Sequence, residues 1–535
     1  MKSVSTERSK KRSSNPDSSQ NVWRLAGAVV LTGAGLLRLL YLTEKPLHHD
    51  EGVNGFFLTS LFRHGVYHYD PANYHGPTLY YFGLLTTTLN SLVYGKYGLS
   101  TFAIRLVPAI FGIGTVWLIL CLRRHGHLGT FGSIAAALLV AVSPGFVFFS
   151  RYFIHEIPFI FFTLALIVAV IRFRETSKPK YLMWASASTA LLFATKETSV
   201  ITIVILLLAH VCTSLYMGLR MKFASEPADG RPPKAEAAPA SKEEIAGRDP
   251  RKIRSQWIAA AAIFTAVYVL FYSSFFTNFP QGVFDSVRTF GYWGKTGLTQ
   301  YRSPWYTHLN WLAEEELPSL VLGGLGIVAA LYQGRSRFAI FSAFWAMGIT
   351  AAYSLVPYKT PWLAINILLP LAIMAGYLLG QWFEFGARKH WWLVQGSAIL
   401  GLLAVAALSS YQAIDLSFFR YDDDHIPYVY AHTRRDFLGM IDAIESLASH
   451  NPAGKNIGIS VMSPEHWPLP WYLRDYQGAA YWGRVVPSSE PIIIALDSQS
   501  PEIEKSMGVL YRRFYSYELR PGNVLVLYLR RDQRP

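Results

Sequence analysis

Long apolar segments alternate with short polar loops along most of the chain. About eleven of these segments approach the roughly 20 residues that a helix needs to cross the hydrocarbon core of a bilayer. They lie near 23–43, 101–122, 128–149, 157–171, 181–197, 198–219, 256–276, 316–333, 337–356, 361–383 and 391–410. The pattern predicts a mainly α-helical, polytopic membrane protein with about eleven transmembrane helices over residues 23–410.

One further segment, residues 77–95, is apolar enough to span but carries a polar run, Thr86 to Asn90. If this segment lies on the outer surface, the basic loops after Arg123 and Arg172 share the side of the basic N-terminal tail. If it spans, those loops move to the opposite side, against the positive-inside rule. We therefore predict a non-spanning segment, a cytoplasmic N-terminus and an extracytoplasmic C-terminus in the plasma (inner) membrane.

Three stretches depart from the membrane pattern. Residues 1–22 are polar and basic and predict a disordered cytoplasmic tail, and residues 221–255 predict a flexible cytoplasmic linker. Residues 411–535 alternate strands with helices, which predicts a small extracytoplasmic α/β domain. Its predicted elements are helices at 434–449 and near Pro501 and strands at 456–462, 491–496 and 523–530.

Composition supports a membrane protein. Hydrophobic residues make up 51% of the chain and charged residues 16%, with a mean hydropathy of +0.23. The formal net charge of +14 follows from basic loops beside the membrane, so it does not indicate nucleic-acid binding.

The strongest chemical signal is the sequence His48-His49-Asp50-Glu51, directly after the first apolar segment. We predict that Asp50 is a general base and that Glu51 orients it or a substrate hydroxyl. Two alternatives remain at this point. The pair is an ordinary solvated acidic loop, or it joins His48 and His49 in a divalent metal site.

Other polar residues converge on the same predicted outer face. Glu156 is a candidate second catalytic carboxylate, with an interfacial helix cap as the alternative. The candidate substrate-binding residues are His75, Lys196, Glu197 and Lys359. Either lysine suits a phosphate as a point charge, or extends its stem along the membrane so that its charge reaches the surface.

Several motifs together resemble known families. They are HHDEGVNGFF, YHGPTLYY, SRYFIHEIPF, ATKETS, PYKTPWL and EHWPLPWYLR. They resemble the flippase-activity-associated family of archaeal-type protein glycosylation. The first half of the chain also resembles the protein O-mannosyltransferase and aminoarabinose transferase branch of the GT-C glycosyltransferases. In that branch the positions of Asp50, Glu51 and Glu156 match the first-loop aspartate, the acid beside it and the second-loop acid.

The resemblance implies a GT-C-type bundle and inverting transfer of a sugar from a polyprenyl-phosphate donor to an acceptor hydroxyl on a glycan, protein or lipid. It also implies a flippase as a further partner. We predict no cofactor, with Asp50, Glu51 and Glu156 as the place for a divalent metal if one binds. The rival functions are a non-catalytic, lipid-sugar-binding partner of a flippase, and a transporter, which would place its charges at mid-bilayer.

Overall fold

The computed structural model describes residues 16–73, 75–124, 126–224, 249–299 and 303–533. Helices dominate the chain as far as Phe419, where a short π-helical turn ends the last of them. These helices are α1 (Pro16–Leu39), α2 (His49–His64), α3 (Thr78–Tyr94), α4 (Thr101–Leu120), α5 (Gly129–Val142), α6 (Pro144–Phe149), α7 (Glu156–Thr176), α8 (Pro179–Phe193), α9 (Ser199–Ala224), α10 (Pro250–Tyr272), α11 (Gln281–Thr299), α12 (Thr307–Glu315), α13 (Leu317–Gln333), α14 (Arg337–Leu355), α15 (Ala364–Lys389) and α16 (Trp392–Ile414).

Fewer helices than expected are long enough to cross a membrane. Within the described residues eight are long and apolar enough, or nine if α12 and α13, which meet at 114°, form one bent span. The predicted spans at 128–149, 181–197 and 316–333 contain shorter helices, α5 with 14 residues, α8 with 15 and α13 with 17. At 1.5 Å per residue, α5 and α8 are about 20 Å long, less than the roughly 30 Å of hydrocarbon.

A helix break explains the shortest of these. Ser143 ends α5 in an extended conformation, and its hydroxyl accepts the Phe146 N–H at 3.2 Å to start α6, with Pro144 in the first turn. An N-cap followed by proline is a standard helix start. The predicted continuous span therefore divides into two helices.

Helices also extend into the segments predicted to be irregular. α1 begins at Pro16, within the predicted tail, and the rest of that tail, 1–15, lies outside the described residues. α9 continues to Ala224 and α10 begins at Pro250, so both ends of the predicted linker 221–255 are helical. Residues 225–248 of that linker lie outside the described residues. α16 and its π-helical turn continue past the predicted boundary at 410 to Phe419.

α15 forms the centre of the membrane part. It packs against α5 and α13, and nearly all of its most apolar stretch is buried. A helix that is apolar on every side is stable only when other elements surround it. The loop at 356–360, which leads into it, is therefore anchored at the core.

The C-terminal domain is a five-stranded mixed sheet with helices. The strands are β1 (Ile459–Val461), β2 (Ala479–Tyr481), β3 (Ile492–Leu496), β4 (Tyr511–Arg520) and β5 (Asn523–Arg530), in the order β2-β1-β3-β5-β4. β1 pairs in parallel with β2 and β3, whereas β5 pairs antiparallel with β3 and β4. The helices are α17 (Asp436–His450), α18 (Leu469–Tyr472) and α19 (Ser500–Met507). The predicted α/β character is correct, but β2 and β4 were not predicted.

The segment EHWPLPWYLR attaches this domain to α2. Trp471 is 1% exposed and lies against Gly55 of α2, where a Cβ atom would be 2.5 Å from the indole ring. The Leu47 N–H donates to the Tyr472 hydroxyl at 2.9 Å, and Arg474 donates to the Leu99 carbonyl at 3.0 Å. The sheet domain is therefore packed directly against the loop that carries the acidic pair.

Candidate active site at the first loop

The first turn of α2 places the acidic pair. His48 is the N-cap residue, and its Nδ1 accepts the backbone N–H of Asp50 at 3.1 Å, while its Nε2 donates to the Tyr430 carbonyl at 2.7 Å. The Glu51 carboxylate accepts the His48 N–H at 3.0 Å in return. This reciprocal capping box satisfies the first donors of the helix and holds the backbone of Asp50 in place.

Glu51 is fully buried, and protein donors occupy its carboxylate. Arg105 of α4 donates to both oxygens, at 2.8 and 2.7 Å, and the Phe153 N–H donates at 2.9 Å. Burial acts to raise the pKa of Glu51, but the charge and hydrogen bonds of Arg105 hold it below its ordinary value. Direct contact of Glu51 with a substrate hydroxyl is therefore corrected, because protein donors occupy its carboxylate. The other half of the prediction, that Glu51 orients Asp50, stays a prediction, and the capping box is the arrangement that would carry it.

Asp50 has a different environment from its neighbour. The residue is half-buried, and its backbone N–H makes the cap bond to His48. Across the ranges that the structure describes, neither a hydrogen bond nor an ion pair involves its carboxylate. A partly accessible carboxylate with free lone pairs is what a general base requires. The role of Asp50 as a general base stays a prediction, and this environment leaves its carboxylate open for that role.

The C-terminal domain reaches the acidic pair through Arg520, the last residue of β4. Its guanidinium donates to His49 Nδ1 at 2.8 Å, to the Glu465 carboxylate at 3.1 Å and to the Trp467 carbonyl at 3.2 Å. Burial lowers the pKa of His49 to about 4. The charge of Asp50 acts to raise this pKa, and the charge of Arg520 lowers it further. His49 is therefore neutral at neutral pH and able to accept this bond.

Sequence reasoning missed Arg520 because it missed β4. That strand contains several charged residues among its aromatic ones, so its apolar periodicity is weak. The turn Pro521-Gly522 before the apolar strand β5 was the available signal, since a glycine turn beside a strand favours a hairpin.

A second group of predicted residues is assembled by two loops that run side by side. His75 and Lys196 form an antiparallel bridge, and the Gly76 N–H donates to the Thr195 carbonyl at 3.1 Å. A Cβ atom on Gly76 would lie 2.1 Å from the Ala194 carbonyl oxygen, so only glycine allows this approach. Residues 75–78 and residues 194–197 therefore form one structural unit.

Four predicted site residues form an ionic cluster there. The Lys196 ammonium donates to the Glu156 carboxylate, and the His75 ring lies 3.4 Å from the Glu197 carboxylate. Burial acts to lower the pKa of Lys196, but the charges of Glu156 and Glu197 raise it above its ordinary value overall. Burial also acts to raise the pKa of Glu197, but His75 and Lys196 lower it overall. Glu156, predicted to be catalytic, is the buried ion-pair partner of Lys196.

Lys359 does not have the free ammonium that was expected of it. Its Nζ donates to the carbonyls of Tyr353, Ser354 and Val356 at 2.7, 3.0 and 2.6 Å. An ammonium has three donors, so these bonds use all of them. The predicted substrate-binding role of Lys359 is corrected. It caps the C-terminal end of α14 and shapes the loop that follows.

Tyr358, which precedes Lys359, is a further polar side chain of this region that was overlooked in the sequence. Burial raises its pKa, and the charges of Asp50 and Glu156 add to the effect while Lys196 opposes it. Contacts of Tyr80 link α2 to the cluster. Its hydroxyl donates to Asn54 of α2 at 3.0 Å, and its ring lies 5.6 Å from the ring of His155, which lies 4.9 Å from that of His75.

The three candidate metal ligands do not come together. Asp50, Glu51 and Glu156 are not among the ligating groups in the part of the chain that the structure describes. Glu51 is occupied by Arg105 and Glu156 by Lys196, which leaves Asp50 alone. A shared metal site on these three carboxylates does not fit the arrangement.

Comparison with known proteins gives partial sequence matches. Residues 75–222 match the family described as dolichyl-phosphate-mannose-protein mannosyltransferase. The undecaprenyl phosphate-alpha-4-amino-4-deoxy-L-arabinose arabinosyl transferase of Pseudomonas aeruginosa (strain LESB58) is 33% identical over 113 residues. That match covers 20% of this chain and 21% of the relative, so the chain aligns with about a fifth of the relative's length.

Solved structures match nearly the whole chain. ArnT from Cupriavidus metallidurans bound to undecaprenyl phosphate is similar with a TM-score of 0.64 at 13% identity, over 96% of this chain and 98% of that one. A second match is the oligosaccharyltransferase AglB from Archaeoglobus fulgidus in complex with an inhibitory peptide and a dolichol-phosphate. Its TM-score is 0.54 at 12% identity, and the match covers 96% of this chain and 75% of that one. The predicted fold class is confirmed. The chain is an integral membrane protein with the GT-C fold, a helical membrane part that carries a small C-terminal sheet domain.

Proposed function

We propose that the chain is a membrane glycosyltransferase of the GT-C type that uses a polyprenyl-phosphate sugar as donor. The observation that carries the proposal is the Asp50 carboxylate, which is unbonded within the described residues and fixed at the start of α2 by the buried Glu51–Arg105 pair. Support for the donor class comes from relatives named for undecaprenyl phosphate-linked and dolichyl-phosphate-linked sugars.

The reaction we propose is a single displacement. An acceptor hydroxyl gives its proton to Asp50 while its oxygen attacks the anomeric carbon of the donor sugar. As this bond forms, the bond from the anomeric carbon to the phosphate oxygen breaks, and its electron pair leaves with the lipid phosphate. Attack opposite the leaving group inverts the anomeric configuration.

The Lys196 cluster is the proposed site for the departing phosphate. Lys196 is a charged ammonium that has further donors beyond the one bonded to Glu156, and the His75 side chain is 37% exposed. Charged donors strengthen their hydrogen bonds as negative charge develops on the phosphate. Glu156 and Glu197 hold these two donors in position and keep Lys196 protonated.

The proposed orientation has a cytoplasmic N-terminus and an extracytoplasmic site. α7 begins with Glu156 at the site and carries Arg174 in its last turn, so the site and a basic loop lie at opposite ends of one helix. Because basic loops favour the cytoplasmic side, the site faces outward at the plasma (inner) membrane. An acceptor hydroxyl on a glycan, protein or lipid would meet the donor there, together with a flippase that delivers it.

Transfer by the purified chain tests this function. The protein is placed in nanodiscs with a radiolabelled polyprenyl-phosphate hexose and a panel of glycan, peptide and lipid acceptors. We expect label to move to one acceptor class as free polyprenyl phosphate is released. Donor binding without transfer to any acceptor would contradict the enzyme and favour a non-catalytic, lipid-sugar-binding partner of a flippase.

A further inference from the structure

A cavity of about 700 Å³ opens beside the end of α1, and none of the residues proposed for the reaction lines it. Six residues form what we call its apolar wall, namely Leu36, Leu37, Leu40, Ile414, Phe418 and Phe419. The wall lies at the ends of two candidate membrane spans, Gln20–Leu39 and Trp392–Phe419. Leu36, Leu40 and Phe419 are 51%, 49% and 65% exposed, so the wall is open to the hydrocarbon of a bilayer.

Three buried polar side chains line the same cavity, and we call them its cation end. They are Lys45, Arg151 and Ser417, each no more than 2% exposed. In the part of the chain that the structure describes, Lys45 Nζ, Arg151 Nε and Ser417 Oγ have no hydrogen-bond partner. Buried polar atoms are nearly always paired in native proteins. Three unpaired groups at one cavity therefore indicate an acceptor that the protein itself does not provide.

The positive charges of Lys45 and Arg151 at the cation end are not balanced by a carboxylate bonded to them within the described residues. The terminal nitrogens of Arg151 donate only to backbone carbonyls at the end of α1, and Lys45 Nζ lies 3.3 Å from the centre of the Tyr152 ring. Burial lowers the pKa of Arg151 to about 10 and that of Lys45 below its ordinary value, and Arg105 adds to both shifts. Glu51 opposes the shift of Lys45, but its carboxylate is already paired with Arg105. A buried cation without a counter-charge is costly, so an anion is favoured here.

Among the described residues, Glu44 is the one carboxylate that lines the cavity, and it does not neutralise this end. Glu44 is exposed, and across the described ranges no ion pair joins it to Lys45 or Arg151. A solvated carboxylate on the rim balances a buried cation only weakly because water screens its charge.

We propose that this cavity binds an anionic phospholipid such as phosphatidylglycerol. Its phosphate accepts hydrogen bonds at the cation end, and its acyl chains lie along the apolar wall. The wall favours a lipid over free phosphate, because inorganic phosphate would leave it uncovered. The absence of reaction residues from the lining favours a bilayer lipid over the sugar donor. The site is therefore an addition to the proposed function and does not depend on it.

Native mass spectrometry of the full chain tests the proposal. Delipidated protein in detergent is offered phosphatidylglycerol, phosphatidylcholine, undecaprenyl phosphate or inorganic phosphate. We expect the protein to retain phosphatidylglycerol about tenfold more than phosphatidylcholine, the size of one charged hydrogen bond. Lys45→Met should abolish this preference, whereas Lys45→Arg should keep most of it. Glu44→Gln, the matched control on the rim, should leave it unchanged or increase it.

Several results would overturn the assignment. If the unmutated chain and Lys45→Met preferred phosphatidylglycerol over phosphatidylcholine to the same degree, the cation end would have no role in binding. Loss in Lys45→Arg as well as Lys45→Met would show that packing, not charge, decides retention. Undecaprenyl phosphate retention that falls in both Lys45→Met and Leu37→Trp would make the cavity part of the donor site, and retention of inorganic phosphate alone would exclude a lipid. Leu37→Trp, which fills the cavity without changing charge, should also abolish lipid retention, and normal retention would contradict the proposed path of the acyl chains.

Discussion

Two adjacent carboxylates at the start of α2 have opposite environments. Asp50 is partly accessible and unbonded within the described residues, whereas Glu51 is buried against Arg105. The sequence places both acids beside each other but does not show which one turns inward. That depends on Arg105, 54 positions further along the chain, and on the N–H of Phe153. The sequence could therefore suggest a base at Asp50 and an orienting acid at Glu51, but it could not show the buried arginine that holds Glu51. The base role of Asp50 stays a prediction.

The Glu51–Arg105 pair predicts a large loss of stability on neutralisation. Glu51→Gln leaves the guanidinium buried without its counter-charge, and breaking a buried pair in this way costs about 3–5 kcal/mol. Asp50→Asn, the matched control one residue earlier, should change stability by about 0.5 kcal/mol or less. Thermal unfolding of both variants in the same detergent measures the difference. Equal melting temperatures would contradict the structural role of Glu51.

The His49–Arg520 contact predicts a dependence on pH. The pKa of His49 in the folded protein, about 4, lies below its ordinary value of 6.5, so the unfolded chain binds this proton first as pH falls. The stabilising effect of the neutral ring is present above about pH 6.5 and is lost between about 6.5 and 4. In His49→Asn, which accepts a hydrogen bond without titrating, the melting temperature should fall less over this range. An identical pH profile would exclude His49 as the titrating group.

At the scale of elements, the β4–β5 hairpin links the sheet domain to the first turn of α2. Arg520 makes three hydrogen bonds there, to His49, Glu465 and Trp467. The sequence showed β5 clearly because its apolar residues are continuous, but β4 is a polar edge strand with little periodicity.

The predicted membrane spans were longer than the observed helices for a related reason. Apolar composition continues through Ser143-Pro144, although the helix does not.

Removing Arg520 should loosen the start of α2. Arg520→Ala deletes the bond to His49, and hydrogen bonds to charged groups contribute about 1.5–3 kcal/mol. We expect backbone hydrogen exchange over residues 48–52 to accelerate about tenfold or more. Arg513→Ala, which removes an exposed arginine of the same strand, serves as the control. Unchanged exchange in Arg520→Ala would show that the sheet domain does not support the site.

At the scale of the whole molecule, the fold was the most predictable feature. Apolar segment length predicted a polytopic bundle, alternating strands and helices predicted a small C-terminal domain, and the GT-C resemblance agrees with the structural matches. The site was less predictable. Its residues come from loops far apart in the chain, and the ion pair between Glu156 and Lys196 joins positions 40 residues apart. The bonds of Lys359 are local, to carbonyls three to six residues earlier, but they depend on how the chain turns after α14.

The orientation across the membrane is testable with single cysteines. In a chain whose Cys121 and Cys212 are replaced by serine, a cysteine at exposed Trp482 should react with an impermeant reagent from outside. A cysteine at His390, between α15 and α16, should react only after the membrane is opened. The opposite labelling would reverse the proposed topology and place the site in the cytoplasm.

The most direct test of the account is turnover by Asp50→Asn. This change keeps the shape and hydrogen bonding of the side chain but removes its ability to accept a proton. General-base catalysis contributes roughly 10²–10⁴ in rate, so transfer from a labelled polyprenyl-phosphate sugar should fall by about that factor. Donor affinity should stay the same or rise slightly, because a negative charge near an anionic lipid phosphate is removed. Near-normal turnover with normal donor binding would contradict the assignment of Asp50 as the base.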